Sequence, residues 1–429
     1  MELDMQRDTA FQMAASNLRF GPGTTAEVGM DFADMGVKKV LLLTDKKVAT
    51  LAPVETAKNA LNDEGVAFEV FDDVRVEPTD QSFQHAIDVA REGGHDAFLA
   101  IGGGSVIDTA KAANLYTTWP ADFLTYVNAP IGEGKPVPGP LKPLVAIPTT
   151  AGTGSETTGV AIFDMSEIHA KTGIAHRYMK PTLGIVDPEN TRTLPPLVAA
   201  SVGLDVLCHA IESYTALPFD QRPKPERPNM RPAYQGCNPV SDMWSEQAMI
   251  LVAEYLPRVY KDAGDDEARA QMILASSYAG MGFGNAGVHL CHGMSYPISS
   301  MVRDYQPSGY PDDHPIVPHG ISVTLNAPAV FRFTAPACPG RHLLAADRLG
   351  VDTSNVKEAD AGTVLTEKIV ELMQSLDLPN GLSAIGFTGD DIQPLVEGTL
   401  PQHRVTKLSP RPAEAEDLAQ MFEETMTIW

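Results

Sequence analysis

The first half of the chain exchanges short apolar runs with helical stretches at a steady interval, and few folds accept that order. Lys39 to Thr44 reads Lys-Val-Leu-Leu-Leu-Thr, a continuous apolar run of the kind that forms a buried parallel strand. A helical stretch around Pro53 to Asn62 follows, then a strand over Val66 to Val70 and a helix near Gln81 to Arg91. Asp96 to Ile101 and Pro143 to Ile147 read as two further strands. Strand and helix in turn imply a mainly parallel sheet with helices on both faces.

The character changes near Leu194-Pro195-Pro196. Beyond it, stretches rich in Ala, Leu, Met and Glu, such as Asp242 to Tyr260 and Glu267 to Ala279, read as helices with no strand series. A chain of 429 residues is too long for one hydrophobic core. Two domains are therefore expected: an α/β domain with a parallel sheet over 1–195, and an all-α domain over 196–429. One linker stands apart. Leu217 to Pro239 holds Pro218, Pro223, Pro225, Pro228, Pro232 and Pro239, so it is not helix. It also gathers Arg222, Lys224, Arg227 and Arg231 in a protein of net charge −23. A loop of this length is either functional or disordered.

The acidic balance, 32 basic against 55 acidic residues, argues against sequence-independent nucleic-acid binding, which needs a basic face. No apolar run is read as approaching the roughly 20 residues that span a bilayer. The first residues, Met-Glu-Leu-Asp-Met-Gln-Arg-Asp, are acidic and are read as neither a secretory signal nor a mitochondrial presequence. Cys208, Cys237, Cys291 and Cys338 are too sparse for a disulfide framework, so a reducing, cytoplasmic location is expected.

Asp205 and His209 lie four apart in a segment with helical periodicity, so both side chains leave one helix face about a turn apart. That spacing suits a shared divalent cation, and it equally suits a surface ion pair. His292 in Cys-His-Gly-Met-Ser-Tyr-Pro and His319 in Pro-His-Gly would complete a mixed oxygen and nitrogen shell. Such a shell fits Fe(II) or Zn(II) better than calcium or magnesium.

Two loops suit a nucleotide. Gly102-Gly103-Gly104-Ser105 with Asp108 follows directly on a strand, where glycines let the backbone approach a phosphate and the next helix offers free N–H groups. Ser105 with Asp108 reads as a capping box opening that helix. The run is not a Gly-x-Gly-x-x-Gly fingerprint, and many αβ turns use glycine without a ligand. Pro148 to Glu156 then offers the hydroxyls of Thr149, Thr150, Thr153 and Ser155 with flexible Gly152 and Gly154. That suits pyrophosphate or ribose, or is simply a polar loop. Two such loops at the carboxyl ends of parallel strands point to a nucleotide crevice. Asp45, just past the first strand, is placed to accept bonds from a ribose and to repel a phosphate, favouring NAD over NADP.

Together these motifs resemble the iron-containing (group III) alcohol dehydrogenases, in their order and over most of the chain. Within that family the resemblance is greatest to the hydroxyacid-oxoacid transhydrogenase branch. It runs through Ser16 to Gly21, Val74 to Asp80, Gly284 to His292 and Leu400 to Pro412, and includes the 217–239 loop. The resemblance implies the dehydroquinate synthase-like fold, with a nucleotide-binding domain, a helical metal domain and an active site in the cleft between them. It implies Asp205, His209, His292 and His319 as metal ligands. It places NAD against Asp45, Gly102 to Ser105, Asp108, Thr149, Thr150, Thr153, Ser155 and Lys171. Many members carry a second histidine four residues after the third ligand. Here that position is Tyr296, counted among the catalytic candidates, and His289 is a substitute or a hydrogen-bonded core histidine.

The chemistry expected is metal-assisted hydride transfer through NAD, from a 4-hydroxybutyrate-like hydroxyacid to a 2-oxoglutarate-like oxoacid. The alternative is an NAD-dependent alcohol or 4-hydroxybutyrate dehydrogenase that releases NADH. A lyase of the dehydroquinate synthase type fits less well, since such sites place glutamate where Asp205 stands. A decayed, non-catalytic site is argued against by the intact ligand positions and glycine loops. Carboxylate substrates call for a cation, expected from Arg222, Arg227 or Arg231. The expected partners are small hydroxyacids, oxoacids or alcohols and further copies of the chain, with no nucleic acid and no membrane.

Overall fold

The computed structural model describes residues 7–167, 170–310 and 313–429. The chain divides into two compact units: residues 15–194 with 263–280, and residues 1–14, 195–262 and 281–429. A single cut at 195 therefore leaves two segments on the other side of the boundary.

The first unit contains strands β1 (Leu18–Phe20), β2 (Lys39–Leu43), β3 (Ala67–Phe71), β4 (Ala97–Gly102), β5 (Leu144–Pro148), β6 (Val160–Met165), β7 (Ala170–Ala175) and β8 (Leu183–Val186). Its helices are α1 (Val28–Asp34), α2 (Ala52–Asp63), α3 (Asp80–Gly93) and α4 (Gly104–Thr118). Six strands form one sheet in the order β1-β8-β5-β4-β2-β3, and every pairing in it is parallel. β6 and β7 form a separate antiparallel pair.

Alternation along the central strands sends neighbours to opposite faces. Val40, Leu42, Leu99, Ile101, Val145 and Ile147 pack with Val28 and Phe32 of α1 and Val54, Ala57 and Leu61 of α2. Leu41, Leu43, Phe98, Ala100, Leu144 and Ala146 pack with Ala86 and Ala90 of α3 and Val106, Ile107 and Ala110 of α4. Being buried on both sides, β2, β4 and β5 read as unbroken apolar runs.

In the second unit lie α5 (Pro196–Thr215), α6 (Pro239–Lys261), the last turns of α7 (Asp266–Ala286), α8 (Leu290–Ser300) and α9 (His319–Thr334). They are followed by α10 (Pro339–Arg348), α11 (Ala361–Ser375), α12 (Ile392–Thr399), the short α13 (His403–Thr406) and α14 (Ala415–Met426). α5 packs against α6, α8 and α9, while α8 also meets α12 and α13. By length and composition α5 qualifies to cross a membrane, which corrects the reading that no run approaches that length. Its most apolar window is 89% buried within the protein, as befits a core helix.

The 217–239 loop holds two single 3-10 turns, Phe219–Gln221 and Pro228–Met230, and isolated bridges pair Pro218 with Cys237 and Pro223 with Arg7. It closes on Asn238, whose side chain accepts from Val240 N (3.2 Å) and Ser241 N (3.0 Å) to cap α6. The N-terminal segment fastens it: Asp8 N donates to Arg222 O at 2.9 Å, and Gln12 and Gln235 exchange two bonds of 2.8 Å.

Candidate metal centre and nucleotide loops

α5 carries Asp205, His209 and Glu212 at i, i+4 and i+7, on one buried face. Glu212 lies at the N-terminus of α8, where a carboxylate is favoured. Its Oε1 accepts the backbone N–H groups of His289 (3.0 Å), Cys291 (2.8 Å) and His292 (3.4 Å). Its Oε2 takes a very short bond from Nδ1 of His292. With Nδ1 committed, Nε2 of His292 is free to turn toward Asp205 and lies 3.6 Å from Oδ1. Asp205 Oδ2 is 3.9 Å from Nδ1 of His209. The His209 ring stacks between Phe283 (4.1 Å) and His292 (4.5 Å). His319 opens α9 with its ring centroid 5.4 Å from that of His292.

One ligand atom from each of Asp205, His209 and His292 falls within 4.8 Å of the others. Asp205 Oδ1, His209 Nδ1 and His292 Nε2 are all buried without a hydrogen-bond partner. Three orphaned polar atoms in one buried place are costly, and one divalent cation would satisfy them together. The carboxylate and imidazole donors suit iron(II) or zinc. The charges agree. Burial would raise the Asp205 carboxyl, but His209, His319 and His292 hold it well below the usual carboxylate range. Burial pushes His209 down to about 3, which keeps the imidazole neutral as a ligand must be. Burial would also lower His292, yet Glu212 and Asp205 raise it to about 10. An imidazole between two carboxylates holds a cation, whether proton or metal.

Two of the expected ligands, His292 and His319, are followed by glycine, each for a steric reason. A Cβ at Gly293 would stand 2.7 Å from Thr406 Cγ2, so α13 closes on α8 only because that position is bare. A Cβ at Gly320 would stand 2.1 Å from the Ser201 carbonyl oxygen, where α9 begins against α5.

Other expected residues fall elsewhere. Tyr296 is 4% exposed, and its hydroxyl accepts from Arg404 Nη2 at 3.0 Å. His289 is wholly buried with Nε2 against Thr215 Oγ1 (3.0 Å) and Nδ1 accepting from Leu290 N (2.8 Å), which is the core reading. Two of the three expected arginines have an ion-pair partner: Arg222 and Arg231 both pair with Asp8, at 2.7 and 3.0 Å, and so help to hold the loop. Arg227 is exposed.

In the α/β unit, Asp45, the glycine run and the threonine loop follow β2, β4 and β5, which are neighbours in the sheet. The loops touch because the glycines are bare: a Cβ at Gly103 would meet Thr150 Cγ2 at 3.3 Å and one at Gly104 would meet Thr153 Cγ2 at 2.6 Å. A Cβ at Gly102 would strike Val106 Cγ2 at 2.5 Å. Gly103 caps α4 without a side-chain bond, so the expected Ser105/Asp108 capping box does not form. Instead Ser105 Oγ accepts from Glu77 N at 3.2 Å. Thr149 N donates to Gly102 O at 3.0 Å. Asp45 Oδ1 accepts from Lys47 N and Val48 N, both at 2.9 Å.

Asp108 and Ser155 belong to a buried network. Lys111, fully buried, donates to Ser155 Oγ (2.5 Å), Val160 O (2.7 Å) and Asp108 Oδ1 (3.2 Å), while Ser155 Oγ donates to Asp108 Oδ1 (2.5 Å). Lys171 lies between Glu77 (2.5 Å) and Asp164 (3.3 Å). Gly103, Gly104, Ser105, Thr150 and Thr153 keep partial exposure.

Glu212 and Lys111 were missed from sequence. Glu212 was findable, since 205, 209 and 212 share one helical face; Lys111 stands three after Asp108, one turn along the same helix.

Residues 15–188 match the family described as "Iron-containing alcohol dehydrogenase", and residues 233–426 match "Fe-containing alcohol dehydrogenase family, C-terminal". The chain is similar to the protein named "Hydroxyacid-oxoacid transhydrogenase, mitochondrial" of Bos taurus, 57% identical over 98% of this chain and 91% of the relative. The Homo sapiens protein of the same name is 56% identical with the same coverage. Among solved structures, a 1,3-propanediol oxidoreductase superposes with a TM-score of 0.84 at 26% identity, covering 97% of this chain and 100% of the other. The relatives' names overturn the cytoplasmic expectation. Sparse cysteines mark only the lack of a disulfide framework, and the mitochondrial matrix is reducing as well. The chain is an enzyme, an oxidoreductase, and it belongs to the iron-containing alcohol dehydrogenase family, in its hydroxyacid-oxoacid transhydrogenase branch.

Proposed function

We propose that the chain moves a hydride by way of NAD from a 4-hydroxybutyrate-like hydroxyacid to a 2-oxoglutarate-like oxoacid. The observation that carries this reading is the end-to-end similarity to relatives bearing the transhydrogenase name. Bound iron(II) or zinc supplies a Lewis acid for the substrate hydroxyl, and NAD supplies the hydride acceptor. Asp205, His209 and His292 would hold the metal, supported by their three orphaned donor atoms, and His319, whose ring lies beside that of His292, would complete the set. Glu212 keeps the His292 proton on Nδ1 and so leaves Nε2 as the ligand atom. Gly102, Gly103, Gly104, Ser105, Thr149, Thr150 and Thr153 would receive the dinucleotide phosphates, and Asp45 the ribose. Asp108, Ser155 and Lys171 would act behind them, holding the loops.

The test is turnover of 4-hydroxybutyrate with 2-oxoglutarate by purified, metal-loaded protein without added NAD. Oxoacid-dependent formation of succinic semialdehyde with a stoichiometric trace of NAD supports transhydrogenation. No aldehyde beyond one equivalent of the NAD present, together with NADH accumulating one for one with aldehyde and no dependence on the oxoacid once NAD is added, refutes it.

A further inference from the structure

With Arg222 and Arg231 bound to Asp8, a substrate carboxylate needs another cation. We propose that Arg404 is that receptor. The inference deepens the function proposed above and rests on it.

Arg404 sits on α13, and its Nη2 donates to the Tyr296 hydroxyl at 3.0 Å. Its guanidinium carbon stands 5.0 Å over the Tyr234 ring. Nη1 is buried and makes no hydrogen bond. Among the described residues no carboxylate pairs with it, whereas Arg222, Arg231, Arg303, Arg341 and Arg348 each have one. A half-buried guanidinium whose buried Nη1 is unbonded and whose other contacts are phenols lacks its counter-ion, and such a charge is costly to keep. A ligand carboxylate would meet both needs, since the planar fork pairs with two oxygens at once.

Two routes link Arg404 to the expected metal ligands. Tyr296 is one turn beyond His292 on α8, so Arg404 meets the helix beside the ligand. On the other side the Tyr234 ring lies 6.4 Å from Phe283, which stacks on His209. Gly293 admits the close approach of α13, since a Cβ there would meet Thr406. Arg404 is thus attached to the ligand set at two points. A short chain with a hydroxyl at one end and a carboxylate at the other would present the hydroxyl to the histidines and the carboxylate to Arg404. Tyr296, in this arrangement, orients the guanidinium.

The experiment compares wild type, Arg404→Met and Arg404→Lys. For each, kcat/KM is measured for 4-hydroxybutyrate and for butan-1-ol, which has the same chain without the charge. Succinate binding to the metal-free protein is measured by calorimetry. Arg404→Met is expected to lower the hydroxyacid-to-alcohol ratio on the order of 100-fold, mainly through KM, and to abolish succinate binding. Arg404→Lys keeps a cation but loses the fork, and is expected to fall between. Equal losses on both substrates with succinate binding intact would overturn the proposal. Should the Met variant not fold, a folded Lys variant with wild-type ratio and wild-type succinate affinity overturns it too. A wild-type protein inert toward 4-hydroxybutyrate sinks the functional reading instead, while succinate binding still judges Arg404.

Discussion

Replacing Glu212 by glutamine preserves shape and relocates one proton. Oε1 of Glu212 serves three backbone donors at 2.8 to 3.4 Å, and Oε2 serves Nδ1 of His292. In Glu212→Gln the amide oxygen stays with the three donors. Flipping it would strand them at about 1–3 kcal/mol each. The amide nitrogen then faces Nδ1 and only donates, so Nδ1 becomes an acceptor and the imidazole proton moves to Nε2. That nitrogen is the one that would face a metal, being buried without a hydrogen-bond partner. Loss of such a supporting carboxylate weakens metal binding by roughly 10- to 100-fold, or about 1.4 to 2.7 kcal/mol. Zinc affinity of metal-free protein, measured by competition with a chromogenic chelator, is the assay, with thermal melting of the metal-free form as a folding control. A folded Glu212→Gln protein that binds zinc as tightly as wild type would refute the tautomer argument.

Lys111→Met removes the cation from a buried network and leaves Asp108 without it, so a loss of about 3 kcal/mol in urea unfolding is expected, along with weaker NADH binding by fluorescence; an unchanged NADH affinity would mean that the network does not support the loops. Asp8→Asn removes the charge shared by Arg222 and Arg231 and is expected to cost about 2 kcal/mol in unfolding while leaving the KM for hydroxyacids in place. A raised KM at unaltered stability would return those arginines to the substrate. His342 is buried against Thr334 and Cys338, and burial holds it at about 4, against 6.5 when exposed. Below 6.5 the unfolded chain binds a proton that the folded one refuses, so stability drops between pH 6.5 and 4 by about 3 kcal/mol from this group. The slope of unfolding free energy against pH should flatten over that window in His342→Gln.

What could be read from the residues alone followed their range along the chain. β2, β4 and β5 were legible because strands buried on both faces are unbroken apolar runs. β1 has three residues and β8 four, one of them glycine, so neither offers a period to detect. β7, Ala-Lys-Thr-Gly-Ile-Ala, mixes small and polar residues and is a strand only because β6 pairs with it. At the site, Asp205 and His209 share a helical face and were readable from spacing. His292 and His319 lie on other helices; their Gly-flanked settings offered them as candidates, but no spacing tied them to the pair, and the family resemblance supplied that tie. Arg222 and Arg231 looked free because their partner, Asp8, is more than two hundred positions away. The loop's pairing with the N-terminal segment was therefore invisible to a local reading of its charge.

The His292-Gly293 and His319-Gly320 doublets have an evolutionary consequence. At each, one position carries an expected metal ligand while its neighbour yields room for a second stretch of backbone or side chain, so the donor set and the helix packing are expected to be coupled. A deep mutational scan scored on activity should rank Gly293 and Gly320 beside the histidines in intolerance, even to alanine. Inactivating changes at these two hydrogen-only side chains would be mistaken for folding defects unless metal content were measured alongside expression.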